Sequence, residues 1–166
     1  VPSRPEPSAP SVIPELADRL TYLLKHAQLR LAELSAAALE PLGISGRELA
    51  VLRVIAARPP VSQLEIATRM GVDRTTMVGL IDGLERKKLV ERAPDPADRR
   101  RNVVALTAAG RTATQRGSAA ADRAEQTFLE PLSADEASAA RRALRLLAFP
   151  GEERRRTPEH SGEQSD

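Results

Sequence analysis

Arginine and lysine are the residues whose types and spacing point to a chemistry here, and that chemistry is the binding of an anion. Between residues 86 and 101 lie seven cations (Arg86, Lys87, Lys88, Arg92, Arg99, Arg100, Arg101) and three acids (Glu91, Asp95, Asp98), a local charge of 7 − 3 = +4. The whole chain of 166 residues carries a formal charge of only +2, so the excess is concentrated in one place. A compact basic patch on a nearly neutral chain attracts a polyanion, although a charge run can also be a solvated face. Side chains for bond-making are scarce. The absence of cysteine removes thiolate nucleophiles, disulfides and thiolate metal sites. The two histidines, His26 and His160, would need several carboxylates to complete a usual zinc set. No Ser/His/Asp set or phosphate-cradling glycine loop accompanies them. An enzyme is therefore not expected, nor is a metal or cofactor.

One smaller group has a chemistry of its own. Arg19, Tyr22 and His26 stand at i, i+3 and i+7 and so share one side of a helix. A cation, a phenol and an imidazole together could hold a small aromatic carboxylate. A surface arginine near a structural histidine is the plainer reading of the same three residues.

The elements that must position these groups are mostly helices. Hydrophobic residues make up 41% of the chain and are mainly Ala and Leu, whereas aromatics make up 2% (Tyr22, Phe128, Phe149). Ala, Leu, Glu and Arg are good helix formers. No apolar run approaches a membrane span, and the Pro-rich start lacks a signal-peptide core, which predicts a cytoplasmic protein. Residues 1–12 and 150–166 are rich in Pro, Ser and charge and are predicted to be disordered, leaving 13–149 as one folded domain. A first long helix is predicted from Pro14 to Leu39, ended by "PLG" at 41–43. Ser45 with Glu48, Ser62 with Glu65 and Ser133 with Glu136 each spell a capping box, and Asp73 is a good N-cap. Another long helix follows Thr107 to about Glu130, and the helix after Ser133 ends before Pro150. "LVERA" and "NVVAL", separated by the charged "PDPADRRR", predict a β-hairpin. The fold class is thus mainly α with a small β-hairpin.

The stretch from Ser62 to Ile81 has the pattern of a helix-turn-helix. Ala67 is small where two helices approach, Gly71 sits at the turn, and Ile66, Met70, Val72, Met77 and Leu80 supply the packing. An ordinary helical hairpin shares much of this pattern. A charged hairpin directly afterwards makes it a winged helix, with "DRRR" at 98–101 on the wing; arginine is favoured in a narrow minor groove. The segment "DRTTMVGLIDGLERKK" (73–88) poses a difficulty, because Gly79 and Gly83 fall inside an otherwise helical pattern. On a helical projection Met77, Leu80, Ile81 and Leu84 share one side and Gly79 lies nearly opposite, so the missing side chains fall on the outward face.

Residues 62–110, with the "DRR" of Asp98–Arg100, the "LT" of Leu106–Thr107 and then Gly110, resemble the winged-helix core of the MarR family of transcriptional regulators. Through the element order on both sides, the resemblance extends over residues 13–149. It implies a homodimer built through residues 13–40 and 108–149, with a DNA-binding lobe at 44–107. It also implies a repressor of neighbouring genes released by a small aromatic or phenolic ligand. Carried onto this sequence, Ser62 and Gln63 would hold phosphates. Arg74, Thr75 and Thr76 would lie at the entrance of the recognition helix; on the helical projection Gly79 would let the backbone approach the groove closely, moving discrimination to Arg74, Thr75, Thr76, Val78 and the wing. Arg100 would enter the minor groove, oriented by Asp98, while Arg99 and Arg101 would attract the backbone. Arg19, Tyr22 and His26 would lie toward the effector pocket. Two positions depart from the family pattern: Gly79 stands where many members carry a long polar side chain, and Lys88 replaces the glycine that usually ends the recognition helix.

A dimer also follows from the residues themselves. Leu16, Leu20, Leu23, Leu24, Ala27, Leu31, Leu34 and Ala38 form one apolar stripe, and Ala137, Ala140, Leu144 and Leu147, followed by Phe149, form another. Symmetric pairing is the commonest way to cover such surplus surface, and packing within one subunit is the plainer account for most of these residues. A dimer presents two recognition helices about one turn of duplex apart, which predicts a pseudopalindromic double-stranded DNA site. The alternative is a winged-helix module that binds protein rather than specific DNA.

Overall fold

The computed structural model describes residues 13–58, 60–94 and 102–151. The element order is α1 (Leu20–Leu39), α2 (Gly46–Ala57), α3 (Gln63–Met70), α4 (Arg74–Arg86), β1 (Val90–Pro94), β2 (Asn102–Leu106), α5 (Ala108–Leu129) and α6 (Ala134–Ala148). Single 3-10 turns at Pro14–Leu16 and Glu40–Leu42 flank α1. The fold is mainly α with one two-stranded antiparallel hairpin, in which Val90 pairs with Leu106 and Pro94 with Asn102. Contacts divide the chain into two units, Val1–Phe128 and Leu129–Asp166.

Local chemistry explains most boundaries. Ser45 and Ser133 form full capping boxes with Glu48 and Glu136, each serine accepting from the glutamate N–H while the carboxylate takes the serine N–H. Ser62 does only half of this. Its hydroxyl accepts from Glu65 N, but the Glu65 carboxylate turns forward to Arg69, one helical turn on, at 2.5 Å. A carboxylate gains more from a guanidinium than from one amide. Gly43 (φ 64) and Gly71 (φ 62) end their helices in the left-handed region, where a glycine carries no Cβ penalty.

The first predicted helix begins later than its pattern suggests. Pro14–Leu16 is a tight turn closed by Leu16 N to Ile13 O and Arg19 N to Leu16 O, and the α-helix starts at Leu20 after an extended Arg19 (ψ 120). Proline cannot donate and aspartate at position 18 favours turns over helix, so the first turn has little to hold it in α form.

The core of the first unit brings together Leu52 and Ile55 of α2, Ile66 of α3, Met77, Ile81 and Leu84 of α4, and Val90 and Val104 of the hairpin, all at most 2% exposed. Val61, in the approach to α3, forms an isolated antiparallel bridge with Val104, whose N–H donates to Val61 O at 2.8 Å. The hairpin is thereby fastened to the start of the helix-turn-helix, a link with no signal in the sequence pattern. Lys87, at the C-terminal end of α4, reaches back to Gly43 O (2.8 Å) and the Glu48 carboxylate (2.7 Å). Burial pushes the Glu48 carboxyl up, but the hydrogen bond and charge of Lys87, with the bonds from Ser45, outweigh it and hold the group below its ordinary value.

Lys88 adopts φ 58 and is the one non-glycine residue among those described with a positive φ. Its carbonyl accepts the Thr107 hydroxyl at 2.7 Å, so the backbone there is tied to the start of α5. A non-glycine residue in this region costs about 1 kcal/mol. Lys88→Gly is expected to raise stability by roughly that amount in urea unfolding, and an unchanged midpoint would refute the strain.

α1 is nearly bare in this chain. Its one fully buried residue is Leu39, while Leu20 (62%), Leu23 (49%) and Leu24 (42%) stand exposed. The expectation that one subunit covers most of the first stripe therefore fails over the N-terminal half of α1. Among the described residues of the second unit the full helix is α6, on which Leu144, Leu147 and the following Phe149 are also exposed.

Candidate nucleic-acid interface

α3 and α4 meet across the Gly71 turn with Ala67 only 4% exposed, as a close helix crossing requires. Val72 N donates to Ala67 O at 3.1 Å and locks the turn. α4 buries Met77, Ile81 and Leu84, so its opposite face must look outward. Gly79 is on that face: it is exposed, and an added Cβ would meet nothing within 4 Å. The glycine is thus not required by packing inside this chain. Gly79→Ala is expected to stabilise the fold by roughly 0.5–1 kcal/mol, read as a higher urea midpoint.

Ser62, Gln63 and Arg74, chosen from the sequence, line a single hollow of about 340 Å³. Leu64, Arg92 and Asn102 also line it and were not foreseen as members of the site. Arg74 and Thr75 are exposed at the start of α4, and Thr76 and Val78 are half-buried. Asp98, Arg99, Arg100 and Arg101 lie outside the described residues.

Arg92 joins three elements. From β1 its guanidinium donates to Asp82 and Glu85, both on α4. With the Gln63 amide oriented so that both its polar atoms are satisfied, its oxygen accepts from Arg92 Nη2 at 2.8 Å and Nε at 3.0 Å. That orientation turns the Gln63 oxygen to Arg92 and its NH₂ toward acceptors, so the amide is held in place at the start of α3. Arg92 also neutralises two carboxylates on the recognition helix that would otherwise repel an anion. Its signal in the sequence was only its membership of the basic run; its partners stand 7, 10 and (92 − 63) 29 residues away.

At the N-terminus of α4, Asp73 caps the helix through Thr76. One carboxylate oxygen accepts Thr76 N–H at 2.9 Å and the other accepts the Thr76 hydroxyl at 2.6 Å. The hydroxyl bond, then the amide bond, hold the Asp73 carboxyl below its ordinary range.

The second predicted group is only partly assembled. The Tyr22 and His26 rings lie 4.1 Å apart and tilted by 46°, and both line a groove of about 920 Å³ along α1. Arg19 does not line it, because it caps α1 in an extended conformation and leaves the helical spacing. The cation in the groove is Arg30, four residues beyond His26, accompanied by Glu33 and Leu34. Tyr22 Oη accepts from Ile13 N at 3.3 Å.

Comparison with known proteins agrees with this geometry. The model of the MarR family matches residues 42–101. A protein of Thauera aromatica, described as a transcriptional regulatory protein for the hcr operon, is 37% identical over 91 residues, 55% of this chain and 55% of that protein. The chain thus spans about half the length of that curated relative. CouR from Rhodococcus jostii RHA1, solved with p-coumaroyl-CoA bound, superposes with a TM-score of 0.70 at 32% identity, covering 81% of this chain and 95% of that one. The CouR repressor solved on a 23-mer DNA duplex gives a TM-score of 0.75 at 33% identity, covering 84% and 99%. With its helix-turn-helix, its hairpin wing and these relatives, the chain belongs to the MarR family.

Proposed function

We propose that the protein is a homodimeric, sequence-specific double-stranded DNA-binding transcriptional regulator. The observation that carries this reading is the outward face of α4. Its Gly79 is open to solvent, and beside its N-terminus Ser62, Gln63 and Arg74 surround one hollow at the start of α3. A helix N-terminus with donors around it suits phosphate oxygens, and a bare helix face suits close approach to a groove. The exposed leucines of α1 and α6 support the dimer, since a 20-residue helix with one buried side chain among the described residues leaves apolar surface for a second copy to cover. In this assembly Arg100 is the minor-groove contact, Asp98 orients it, and Arg99 and Arg101 strengthen backbone attraction. Thr75, Thr76, Val78 and Gly79 face base edges.

The regulator acts as a repressor of neighbouring genes and is released by an aromatic or phenolic acid. Tyr22 and His26 form the aromatic part of that site, and Arg30 is a better placed cation than Arg19. The bound p-coumaroyl-CoA of CouR supports the aromatic class.

Fluorescence anisotropy on the intergenic DNA beside the gene tests this reading. Affinity should fall steeply with salt, by about 0.9 in log–log slope per phosphate neutralised, and Arg100→Ala should weaken binding to that site. Salt-insensitive or absent DNA binding would favour the protein-interaction module instead. Calorimetry with aromatic acids tests the effector, and a response that survives His26→Ala would remove His26 from the site.

A further inference from the structure

The cap of α4 fixes the hydrogen-bond polarity of a residue on the reading face. A threonine hydroxyl ordinarily turns to donate or accept as its partner requires. Thr76 has lost that choice, because its hydroxyl hydrogen is committed to one Asp73 oxygen at 2.6 Å while the other oxygen holds the Thr76 amide at 2.9 Å. An ionised carboxylate only accepts, so the hydroxyl cannot reverse without breaking the bond. What the Thr76 side chain has left to offer a partner is the lone pairs of its hydroxyl and a methyl group.

In the major groove, the groups that donate to such an oxygen are the exocyclic amines of adenine and cytosine; guanine and thymine present acceptors. We propose that Thr76 is a specificity-determining residue that reads an adenine or cytosine amino group in each half-site, and that Asp73 is the positioning residue that sets this polarity. The inference rests on the DNA-binding reading above. Thr76 lies on the first turn of α4, the part of a recognition helix that meets base edges.

An isosteric change should invert the preference. Asn caps helices as well as Asp, but it has one oxygen. In Asp73→Asn that oxygen keeps the Thr76 amide, and the new NH₂ donates to the Thr76 oxygen. The hydroxyl hydrogen is then released outward, where it suits the acceptors of guanine or thymine. The experiment measures anisotropy affinities of the full chain on operator duplexes carrying every base at each half-site position. The wild type should favour A or C at one position by roughly fivefold, the value of a single hydrogen bond. Asp73→Asn should shift that position toward G or T, Thr76→Val should flatten it, and Thr76→Ser should restore it. If Asp73→Asn does not fold, the Val and Ser pair carries the test. A selective wild type whose profile is unchanged in Asp73→Asn and Thr76→Val overturns this inference alone. A folded wild type that binds no duplex selectively overturns the proposed function and this inference with it.

Discussion

Gly110→Ala is expected to abolish stable folding, or to lower stability by at least about 3 kcal/mol, the range of severe overpacking. A Cβ built on Gly110 would lie 1.9 Å from the Leu89 carbonyl oxygen and 2.9 Å from its carbon. Both are backbone atoms, so no rotamer can relieve the clash. The carbonyl cannot retreat cheaply either. Leu89 O accepts Thr107 N at 3.1 Å, its neighbour Lys88 O holds the Thr107 hydroxyl, and that hydroxyl oxygen accepts Gly110 N at 3.0 Å. These bonds tie the end of α4 to the start of α5, with the hairpin between them. Urea unfolding by circular dichroism measures the effect. A variant that unfolds within about 1 kcal/mol of the wild type would mean that the crossing is looser than described. Gly79→Ala is the contrast in the same experiment, since there the added methyl meets open space.

Arg92→Met should weaken specific DNA binding by at least about tenfold, the scale of hydrogen bonds to charged groups. The loss has two sources that can be separated. Removing the guanidinium frees the Gln63 amide to rotate, and it leaves Asp82 and Glu85 uncompensated three residues apart on α4. Adding Asp82→Asn and Glu85→Gln to Arg92→Met removes the repulsion but not the loss of orientation. The triple variant should therefore recover most of its thermal stability while remaining weaker than the wild type on DNA. Wild-type affinity in Arg92→Met would show that the clamp does not set the interface. The effect differs in kind from that of Arg100→Ala, whose expected loss comes from a missing direct contact.

Much of the fold was legible because its determinants are local. Ser45, Asp73 and Ser133 find their partners three residues away, and Gly43 and Gly71 act through their own backbone angles. The puzzle of the two glycines was also local, since a helical projection suffices to put Gly79 opposite Met77, Ile81 and Leu84. Even there the reading had limits. The Ser62 box is half-formed because Arg69 competes for Glu65, and the first turn before α1 winds as 3-10 despite its apolar spacing.

Tertiary structure alone decided the rest. Arg92 read as one cation in a basic run until folding set it against Asp82, Glu85 and Gln63, which turned it from an anion-attracting charge into an orienting clamp. Lys87 likewise reaches Glu48 and Gly43, 39 and 44 residues away. Arg19 left the group chosen for it because an extended cap breaks helical periodicity, and Arg30 took its place. Gly110 had been part of a family pattern and acquired a reason only when the Leu89 carbonyl was found in the space its side chain would fill. By itself the sequence determined the helices, their caps, the wing and the outward face of the recognition helix, because capping and amphipathic periodicity act over one or two turns. Which charges are neutralised, how the Gln63 amide is oriented and where no methyl group fits depend on atoms brought together from distant parts of the chain, and only the packed structure decides those.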